Sequence, residues 1–372
     1  MTEDQGKVIA KIAAKLSLLG TPATPQPDVS VGPVVTVYRF KPIGATKFAQ
    51  IEGLARDIAI TLGAEDVVVK RLPGETNVAV FVPNAERKMI DFKETITNVW
   101  NSTTKIPLNF GVDYLGNKFV EDLAELPHLL VAGSTGSGKS TLVSSIIASI
   151  IYCREANDIS LILSDTKNVE FGRFVGAPHL TSLPATTVED TLGQIEALIS
   201  KMEERLETFG KKRMRNLFEY EEAFPNALKY NRIVFIIDEL ADILCDETRE
   251  ENDKGKPVGP TLGNKCQKAL AKLVQKARAA GIHVIACTQR PSVNIVSGTI
   301  KANFPARLSF RLPTGFDSRT VLGFDGAEHL LSKGDCLYVS PNRHDVMRLH
   351  TPFALNTDID AAVNYATQKV TI

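Results

Sequence analysis

The hydrophobic positions of the chain change period repeatedly, and each change marks a predicted element. After residue 107, short apolar runs typical of buried strands alternate with longer segments whose apolar positions recur at helical spacing. The predicted strands lie at residues 129–132, 160–166, 232–239, 282–291, 306–312 and 334–340, and the main helices at 141–151, 188–223 and 266–281. This alternation predicts an α/β fold with a mostly parallel sheet.

A smaller α/β unit is predicted before it, over residues 34–106. Its strands are expected at residues 34–40, 66–72 and 76–83, and its helices at residues 47–63 and 86–100. The first helix has one apolar face and ends at Gly63, a residue that favours helix termination. No catalytic constellation occurs in this unit, so we expect a structural or assembly domain.

The remaining segments are expected to be peripheral. Residues 1–20 have apolar positions at helical spacing, which favours a small docking helix over a targeting segment. Four prolines in residues 21–33 indicate an extended linker, and residues 246–265 indicate a polar, exposed loop. Residues 356–372 are expected to form a short helix and a loose tail. The predicted domains are therefore 1–20, 21–33, 34–106, 107–355 and 356–372.

Composition adds limits rather than a function. The chain has 372 residues, with 43 basic and 43 acidic side chains, so any surface for nucleic acid must be local. No apolar run of about 18 residues occurs, so no membrane-spanning segment is expected. Five scattered cysteines without a C-x-x-C pair argue against a zinc site and favour a reducing, cytoplasmic location.

Residues 133–140 read GSTGSGKS and match the phosphate-binding pattern G-x-x-x-x-G-K-S between a strand and a helix. The glycines permit close backbone approach, and the amides with the helix N-terminus favour a polyphosphate. A chance Gly/Ser-rich turn would lack these flanks. We therefore predict ATP and Mg²⁺ as cofactors, with the lysine at the outer phosphates and Ser140 on the metal. The predicted nucleotide-binding residues are Gly133, Ser134, Thr135, Gly136, Ser137, Gly138, Lys139, Ser140 and Thr141.

Two later strand ends supply candidate catalytic groups. Asp238 and Glu239 end the apolar strand 232–239, as in a Walker B motif, so Asp238 is predicted to hold Mg²⁺ and Glu239 to activate water. Gln289 ends the strand 282–291 and can sense the γ-phosphate, although a polar residue in an ordinary turn is the alternative. A basic cluster at residues 211–215 can contact DNA or be a solvated helix end.

These motifs together resemble the motor of the FtsK/SpoIIIE family of double-stranded DNA translocases. The residues that carry the resemblance are 126–140, 235–244, 275–310, 317–322 and 326–341, and it extends back through the small unit to cover about residues 31–353. The TQRPS and IKANFPAR sequences inside 275–310 are far more specific than the phosphate-binding motif alone.

The resemblance implies a RecA-like P-loop NTPase domain of the ASCE type behind a small α domain. It implies a homo-hexameric ring around double-stranded DNA, with ATP between neighbouring subunits. The family's N-x-P-x-R motif matches here at Arg307, which implies an arginine finger acting in trans, although a surface arginine in a local ion pair is the alternative. By the same resemblance, the DNA-binding residues are expected to be Arg319, Arg343 and Arg348.

The resemblance does not extend to the family's membrane region or its C-terminal winged helix, neither of which has a counterpart here. Asp165-Thr166-Lys167 also lacks the proline common after that aspartate. These departures favour a stand-alone phage- or plasmid-encoded motor, or a piece of a larger protein. The expected function is an ATP hydrolase coupled to translocation on duplex DNA. Alternatives are a related ATPase of conjugation, genome packaging or secretion, and a nucleotide-gated assembly switch.

Overall fold

The computed structural model describes residues 2–64, 66–71, 75–225, 229–251 and 256–370. The chain forms two compact units. The first comprises Met1–Ile90 with Val112–Lys118, and the second comprises Asp91–Gly111 with Phe119–Ile372. In the described residues no helix is both long and apolar enough to cross a membrane.

The first unit is a four-stranded antiparallel sheet with helices packed on it. Its strands follow the order β1-β2-β4-β3, and its apolar core joins α1, α2 and α3 to the sheet. The elements are α1 (Glu3–Leu18), β1 (Ala23–Val31), β2 (Val35–Pro42), α2 (Phe48–Glu52), α3 (Ala55–Leu62), β3 (Val68–Arg71) and β4 (Val78–Pro83).

The predicted linker at residues 21–33 is wrong, because β1 pairs with β2 along most of its length. An edge strand tolerates prolines, since their missing N–H groups face away from the ladder, and the pairing register shifts between Pro25 and Val29. The docking helix predicted within residues 1–20 is present as α1, but it is not a separate domain, because Ile12 and Leu16 are fully buried in the same core.

The boundary predicted at residues 106 and 107 also differs from the structure. The helix predicted over 86–100 begins only at Phe92, after the Asp91 side chain caps it, and as α4 (Phe92–Trp100) it belongs to the second unit. The predicted helix at residues 47–63 divides into α2 and α3, but it ends at Gly63 with φ of 68°, as expected. The last residue of the strand predicted at residues 66–72, residue 72, lies outside the described part of the chain.

The second unit alternates strands and helices. Its strands are β5 (Pro107–Asp113), β6 (Lys118–Asp122), β7 (Leu129–Ala132), β8 (Ile159–Ser164), β9 (Arg232–Ile237), β10 (Glu250–Glu251), β11 (Pro257–Val258), β12 (Ile282–Thr288), β13 (Ala306–Phe310), β14 (Asp335–Val339) and β15 (Met347–His350). After α4, its helices are α5 (Lys139–Cys153), α6 (Val188–Lys211), α7 (Leu217–Ala223), α8 (Leu240–Leu244), α9 (Leu262–Lys276), α10 (Gly298–Asn303), α11 (Gly315–Val321) and α12 (Asn356–Val370).

A nine-stranded mixed sheet organises this unit, in the order β6-β5-β15-β14-β13-β7-β12-β9-β8. The five strands from β13 to β8 are parallel, whereas β14 pairs antiparallel with β13 and β15 pairs antiparallel with β14. The parallel strands are continuous apolar runs because helices cover both faces, with α5 and α12 in one apolar core and α6 and α9 in the other. Their carboxyl ends therefore meet at one edge, where the candidate site lies.

Three peripheral predictions need correction. Residues 356–370 are not a loose tail, because α12 buries Ile359, Ala362 and Ala366 in the core that also contains α5, and residues 371–372 lie outside the described part. The helix predicted over 188–223 is broken between α6 and α7, where Arg213 has φ of 59°. In the loop predicted over 246–265, β10 and β11 pair and α9 begins at Leu262, while residues 252–255 are not described.

Candidate active site

The loop of residues 133–138 joins the end of β7 to the start of α5. Its first amide, on Gly133, donates to the carbonyl of Thr288, and both the amide and the hydroxyl of Ser134 donate to the carbonyl of Arg311. A Cβ on Gly133 would lie 2.6 Å from Ser137 Oγ, and Gly138 has φ of 120°, a conformation that side chains disfavour. The loop is therefore closely packed against β12 and β13, and glycine is required at both positions.

Lys139 is the first residue of α5, and its ammonium group is buried beside Asp238. Its Nζ donates to Asp238 Oδ1 over 2.7 Å and to the Asp238 carbonyl over 2.8 Å, and the residue is only 3% exposed. Burial alone would lower the pKa of Lys139, but the charge and hydrogen bond of Asp238, with Glu239 nearby, outweigh it and the pKa is raised. The ammonium therefore stays charged, a cation held ready at the phosphate-binding loop.

Glu239 follows Asp238 at the carboxyl end of β9 and is almost fully buried. Its Oε1 accepts hydrogen bonds from Thr288 Oγ1 at 2.8 Å and from the Ala241 amide at 3.2 Å. Its Oε2 accepts from the Gln289 amide at 2.9 Å. Three donors from two elements thus fix one carboxylate at the sheet edge.

Gln289 connects that carboxylate to the phosphate-binding loop. Its amide bonds to Glu239, and its side-chain Oε1 accepts a hydrogen bond from Thr135 Oγ1 over 2.9 Å. This follows from the topology, because β12 lies directly between β7 and β9 in the sheet. The residue predicted to sense phosphate therefore contacts both the loop and the candidate base.

Glu170 is a site residue that the sequence interpretation did not identify. Ser140, the predicted metal ligand, donates its hydroxyl to Glu170 Oε1 over 2.8 Å. Asp165, at the end of β8, places this glutamate: its Oδ2 accepts from the amides of Val169, Glu170 and Phe171. An aspartate at a strand end beside β9, with a glutamate five residues later, is the signal that could have pointed to it.

The site offers few protein ligands for a metal ion. No group of three or more His, Cys, Asp or Glu in the described part of the chain is arranged to hold one. This fits Mg²⁺ bound with a nucleotide, because that ion takes one or two protein oxygens and completes its shell with phosphates and water. Ser140 and Asp238 are present as those oxygens, beside a glycine-lined loop that a Cβ would obstruct.

Arg307 does not lie at the phosphate-binding loop of its own chain. It pairs in register with Leu130 near the start of β7, whereas the loop begins at the other end of that strand. Its Nη1 donates to the Val321 carbonyl over 3.2 Å, and its Nε is buried with no hydrogen-bond partner among the described residues. Burial lowers the pKa of its guanidinium.

The three arginines expected to contact DNA have different surroundings. Arg319, on α11, is exposed and paired with Asp325. Arg343, between β14 and β15, is 43% exposed, contacts Glu121 at 2.7 Å and lies over the Phe119 ring.

Arg348 is largely covered and its guanidinium is held by an internal carboxylate, so this conformation does not present it for the DNA contact expected of it. Its side chain is 10% exposed, and it donates to both oxygens of the buried Asp335 over 3.0 and 2.7 Å. A guanidinium bound to a carboxylate through two parallel hydrogen bonds is a structural ion pair.

Comparison with known proteins identifies the family. The sequence profile of the FtsK/SpoIIIE family matches residues 95–293, and that of the FtsK alpha domain matches residues 2–84. The chain belongs to the FtsK/SpoIIIE family. Its large unit therefore has the P-loop ATPase fold of that family, and the fold-class prediction is confirmed, with a mixed rather than mostly parallel sheet.

FtsK/SpoIIIE relatives match the chain almost from end to end. DNA translocase FtsK of Helicobacter pylori strain J99 is 35% identical over 339 residues, which are 90% of this chain and 38% of that protein. DNA translocase FtsK of Staphylococcus aureus strain Mu50 is 35% identical over 353 residues, 92% of this chain and 43% of that protein. The chain thus spans about two fifths of the length of these relatives.

Solved structures of more distant proteins share the fold. The conjugation coupling protein TcpA of pCW3, solved as a monomer with ATPγS, gives a TM-score of 0.67 at 19% identity and covers 98% of this chain and all of that chain. The cytoplasmic domain of the type VII secretion ATPase EccC from Thermomonospora curvata gives 0.60 at 18% identity, over 73% of this chain and 32% of that chain. At such identities the likeness concerns the fold alone.

Proposed function

We propose that this chain is an ATP-driven motor that moves along duplex DNA without sequence specificity and works as a hexameric ring. The observation that carries the proposal is the buried Glu239 carboxylate, held by Thr288 and Gln289 directly after the Asp238 that pairs with Lys139. A nucleotide-gated switch would not need a carboxylate fixed in this way beside its phosphate-binding loop. The relatives named DNA translocase support duplex DNA as the track.

The residues would act in sequence as nucleotide binds. Lys139 would exchange its contact with Asp238 for the outer phosphates, and the released carboxylate with Ser140 would hold Mg²⁺. The metal supplies positive charge against the charge that develops on the transferred phosphoryl group. Glu239 would then orient and deprotonate the attacking water, with Gln289 registering the γ-phosphate from the adjacent strand end.

The proposal makes the site incomplete within one chain. No arginine is among the groups that contact Lys139, Asp238 or Glu239 in the described structure. Arg307 lies away from the loop of its own chain, so we assign it to the site of a neighbouring subunit. There its permanent charge would stabilise the transition state.

Arg319 and Arg343 are the proposed DNA contacts. Each is at least 43% exposed, so its guanidinium can reach a phosphate. Arg319 is paired with the exposed Asp325, an ion pair that a phosphate can replace at small cost. Few such contacts per subunit suit a motor that must grip and release phosphates without regard to base sequence.

The test is the ATPase rate measured against protein concentration, with and without linear duplex DNA. Stimulation by DNA together with a steep dependence on concentration is the expected result, and Glu239→Gln should bind ATP without turning it over. The substitution keeps the size of the side chain, but its NH2 group faces the backbone amide of either Ala241 or Gln289, so the fold of the variant is checked by circular dichroism. An ATPase that ignores DNA but responds to a partner polypeptide would contradict the proposal and favour a secretion motor.

A further inference from the structure

Glu170 and Ser140 form a contact that the proposed roles leave unexplained. The serine hydroxyl has one hydrogen and two lone pairs, and in this structure its hydrogen points to Glu170 Oε1 at 2.8 Å. A hydroxyl that donates to a carboxylate turns its lone pairs away from that carboxylate. Its free lone pairs are then available to a cation on the other side.

The glutamate is held in place by a turn with little freedom. The Asp165 carboxylate is buried and its Oδ2 receives three consecutive amides, those of Val169, Glu170 and Phe171, over 2.9, 2.7 and 3.1 Å. Phe171 is buried in the main core and anchors the far side of the turn. Glu170 therefore contacts Ser140 from a fixed backbone rather than from a mobile loop.

A second observation points to polar chemistry at this place. Asp165 is only 2% exposed, and its Oδ1 is buried with no hydrogen-bond partner among the described residues. A buried carboxylate oxygen is costly to leave unpaired, and water or a hydrated cation commonly satisfies such an atom. At the end of β8, this carboxylate oxygen can therefore bind water or a hydrated cation in addition to the turn that Oδ2 stabilises.

We propose that Glu170 is a positioning residue for magnesium. It accepts a hydrogen bond from the Ser140 hydroxyl, so that the lone pairs of the serine oxygen face the metal of a bound Mg²⁺–nucleotide. This rests on the proposed nucleotide site. The contribution is confined to the metal-bound state, because Glu170 contacts the metal ligand and neither Lys139 nor the loop glycines in the described structure. Groups that orient a metal ligand typically change metal affinity about 10- to 100-fold.

The test measures binding rather than turnover. A fluorescent ADP analogue is titrated against the full chain in EDTA and at increasing free Mg²⁺, and Mn²⁺ in the nucleotide complex is observed by electron paramagnetic resonance. For Glu170→Ala we expect unchanged affinity in EDTA, a free Mg²⁺ requirement raised about 10-fold or more, and an altered Mn²⁺ signal. Glu170→Gln, whose carbonyl can still accept from Ser140, should recover part of the loss.

The matched control is Val169→Ala, in the same turn but at a position that is 76% exposed. It should leave every reading unchanged. If Glu170→Ala keeps the wild-type Mg²⁺ requirement, needs less Mg²⁺, or loses affinity equally in EDTA, the inference is wrong. If wild-type protein binds no nucleotide with or without Mg²⁺, the nucleotide site itself is wrong, which is a different outcome.

Discussion

Thr135 Oγ1 donates a hydrogen bond to Gln289 Oε1 over 2.9 Å, joining the phosphate-binding loop to the end of β12. The backbone amide of the same residue, Gln289, donates to Glu239 Oε2. A single residue thus links the loop that would hold phosphate to the carboxylate that would activate water. We propose that, when phosphate enters, the Gln289 side chain leaves Thr135 and donates its Nε2 amide to a phosphate oxygen.

Gln289→Ala is expected to impair turnover far more than binding. The substitution removes the side-chain contact but keeps the amide bond to Glu239, so the affinity for nucleotide should stay within about threefold. Misplacing a reacting group by about an ångström can cost about 100-fold in rate, and we expect a fall of that order in kcat. Steady-state ATPase kinetics and equilibrium nucleotide binding measure the two effects.

Thr135→Val distinguishes loss of the Thr135–Gln289 hydrogen bond from loss of the Gln289 side chain. It breaks the same hydrogen bond and leaves Gln289 intact, so its kcat should remain well above that of Gln289→Ala. Equal losses in the two variants would mean that the bond to Thr135, and not a contact with phosphate, is what Gln289 contributes. A Gln289→Ala enzyme with wild-type kcat would remove Gln289 from the site altogether.

Arg307 offers a test of ring assembly. When each variant is assayed by itself, Arg307→Ala and Lys139→Ala should both lack DNA-stimulated hydrolysis, because each lacks one half of a shared site. Mixing the two inactive variants should restore activity, since some interfaces then combine Lys139 from one subunit with Arg307 from its neighbour. Failure to complement, while both variants co-assemble by analytical ultracentrifugation, would contradict a finger in trans.

The Arg307 surroundings suggest the control for that experiment. The guanidinium donates to the carbonyl of Val321 in α11, two residues after the exposed Arg319. Arg307→Ala could therefore disturb the proposed DNA contact as well as the neighbour's site. Arg319→Ala by itself provides the comparison, because its subunits keep both Lys139 and Arg307: it should weaken DNA stimulation and leave DNA-independent hydrolysis intact.

The sequence predicted the chemistry at strand ends better than the chemistry on turns. Residues 133–140, Asp238 and Glu239 occupy fixed places relative to apolar runs, and parallel strands necessarily bring their carboxyl ends to one edge. Glu170 reaches the same edge because three amides bind Asp165. Apolar spacing does not encode that turn, and the strand-end aspartate, the signal that could have pointed to its glutamate, was not interpreted in that way.

Prolines and charges were misjudged for related reasons. Composition alone made residues 21–33 look like a linker, although an edge strand accepts Pro25 and Pro27 where a central strand would not. Arg348 was expected to contact DNA from the family resemblance, and its acidic partner was not foreseen because strand register sets that partner. It pairs with Leu337 in the β14–β15 ladder, which places Asp335 diagonally beside it on the same face.

Arg348 and Arg343 should therefore differ in how far their replacement by alanine lowers the free energy of unfolding. Arg348→Ala leaves the buried Asp335 carboxylate without its guanidinium partner, and we expect the free energy of unfolding to fall by about 3–5 kcal/mol in urea denaturation. Arg343→Ala removes a 43% exposed guanidinium but leaves the buried Glu121 carboxylate without this partner, so it should cost less, about 1–3 kcal/mol.

DNA binding provides the second reading for this pair. Arg343→Ala should weaken duplex binding to the same degree on unrelated sequences. It should also reduce the slope of log affinity against log salt by about 1 for each subunit that contacts the duplex, because one phosphate contact is lost per subunit. A stable Arg348→Ala protein with weakened DNA binding would restore Arg348 to the DNA-contacting set.

Two buried histidines make the large unit sensitive to acid. His128 Nδ1 accepts from the Val284 amide at 2.9 Å, so its Nε2 carries the proton toward the Val274 carbonyl, and His283 lies against the Pro127 carbonyl. Burial, with the charge of His283 adding to it, lowers the pKa of His128 to about 3, and burial lowers the pKa of His283 to about 4. Both rings are neutral in the folded protein at pH 7.

The direction of the pH effect follows from proton binding in the two states. In the unfolded chain an ordinary histidine titrates near pH 6.5, so between that pH and about 4 the unfolded state binds more protons. Stability contributed by the neutral rings is present above pH 6.5 and is lost as the pH falls below it. At pH 5 the loss should be about 2 kcal/mol for each histidine.

Urea denaturation at pH 7 and pH 5 measures this, with His128→Gln and His283→Gln as variants. Glutamine can both accept from the Val284 amide and donate to the Val274 carbonyl, so His128→Gln keeps the hydrogen bonds while removing the titration. Each variant should lose about 2 kcal/mol less than wild type between the two pH values, and the double variant about 4 kcal/mol less. Equal pH dependence in all four proteins would show that acid acts through other groups.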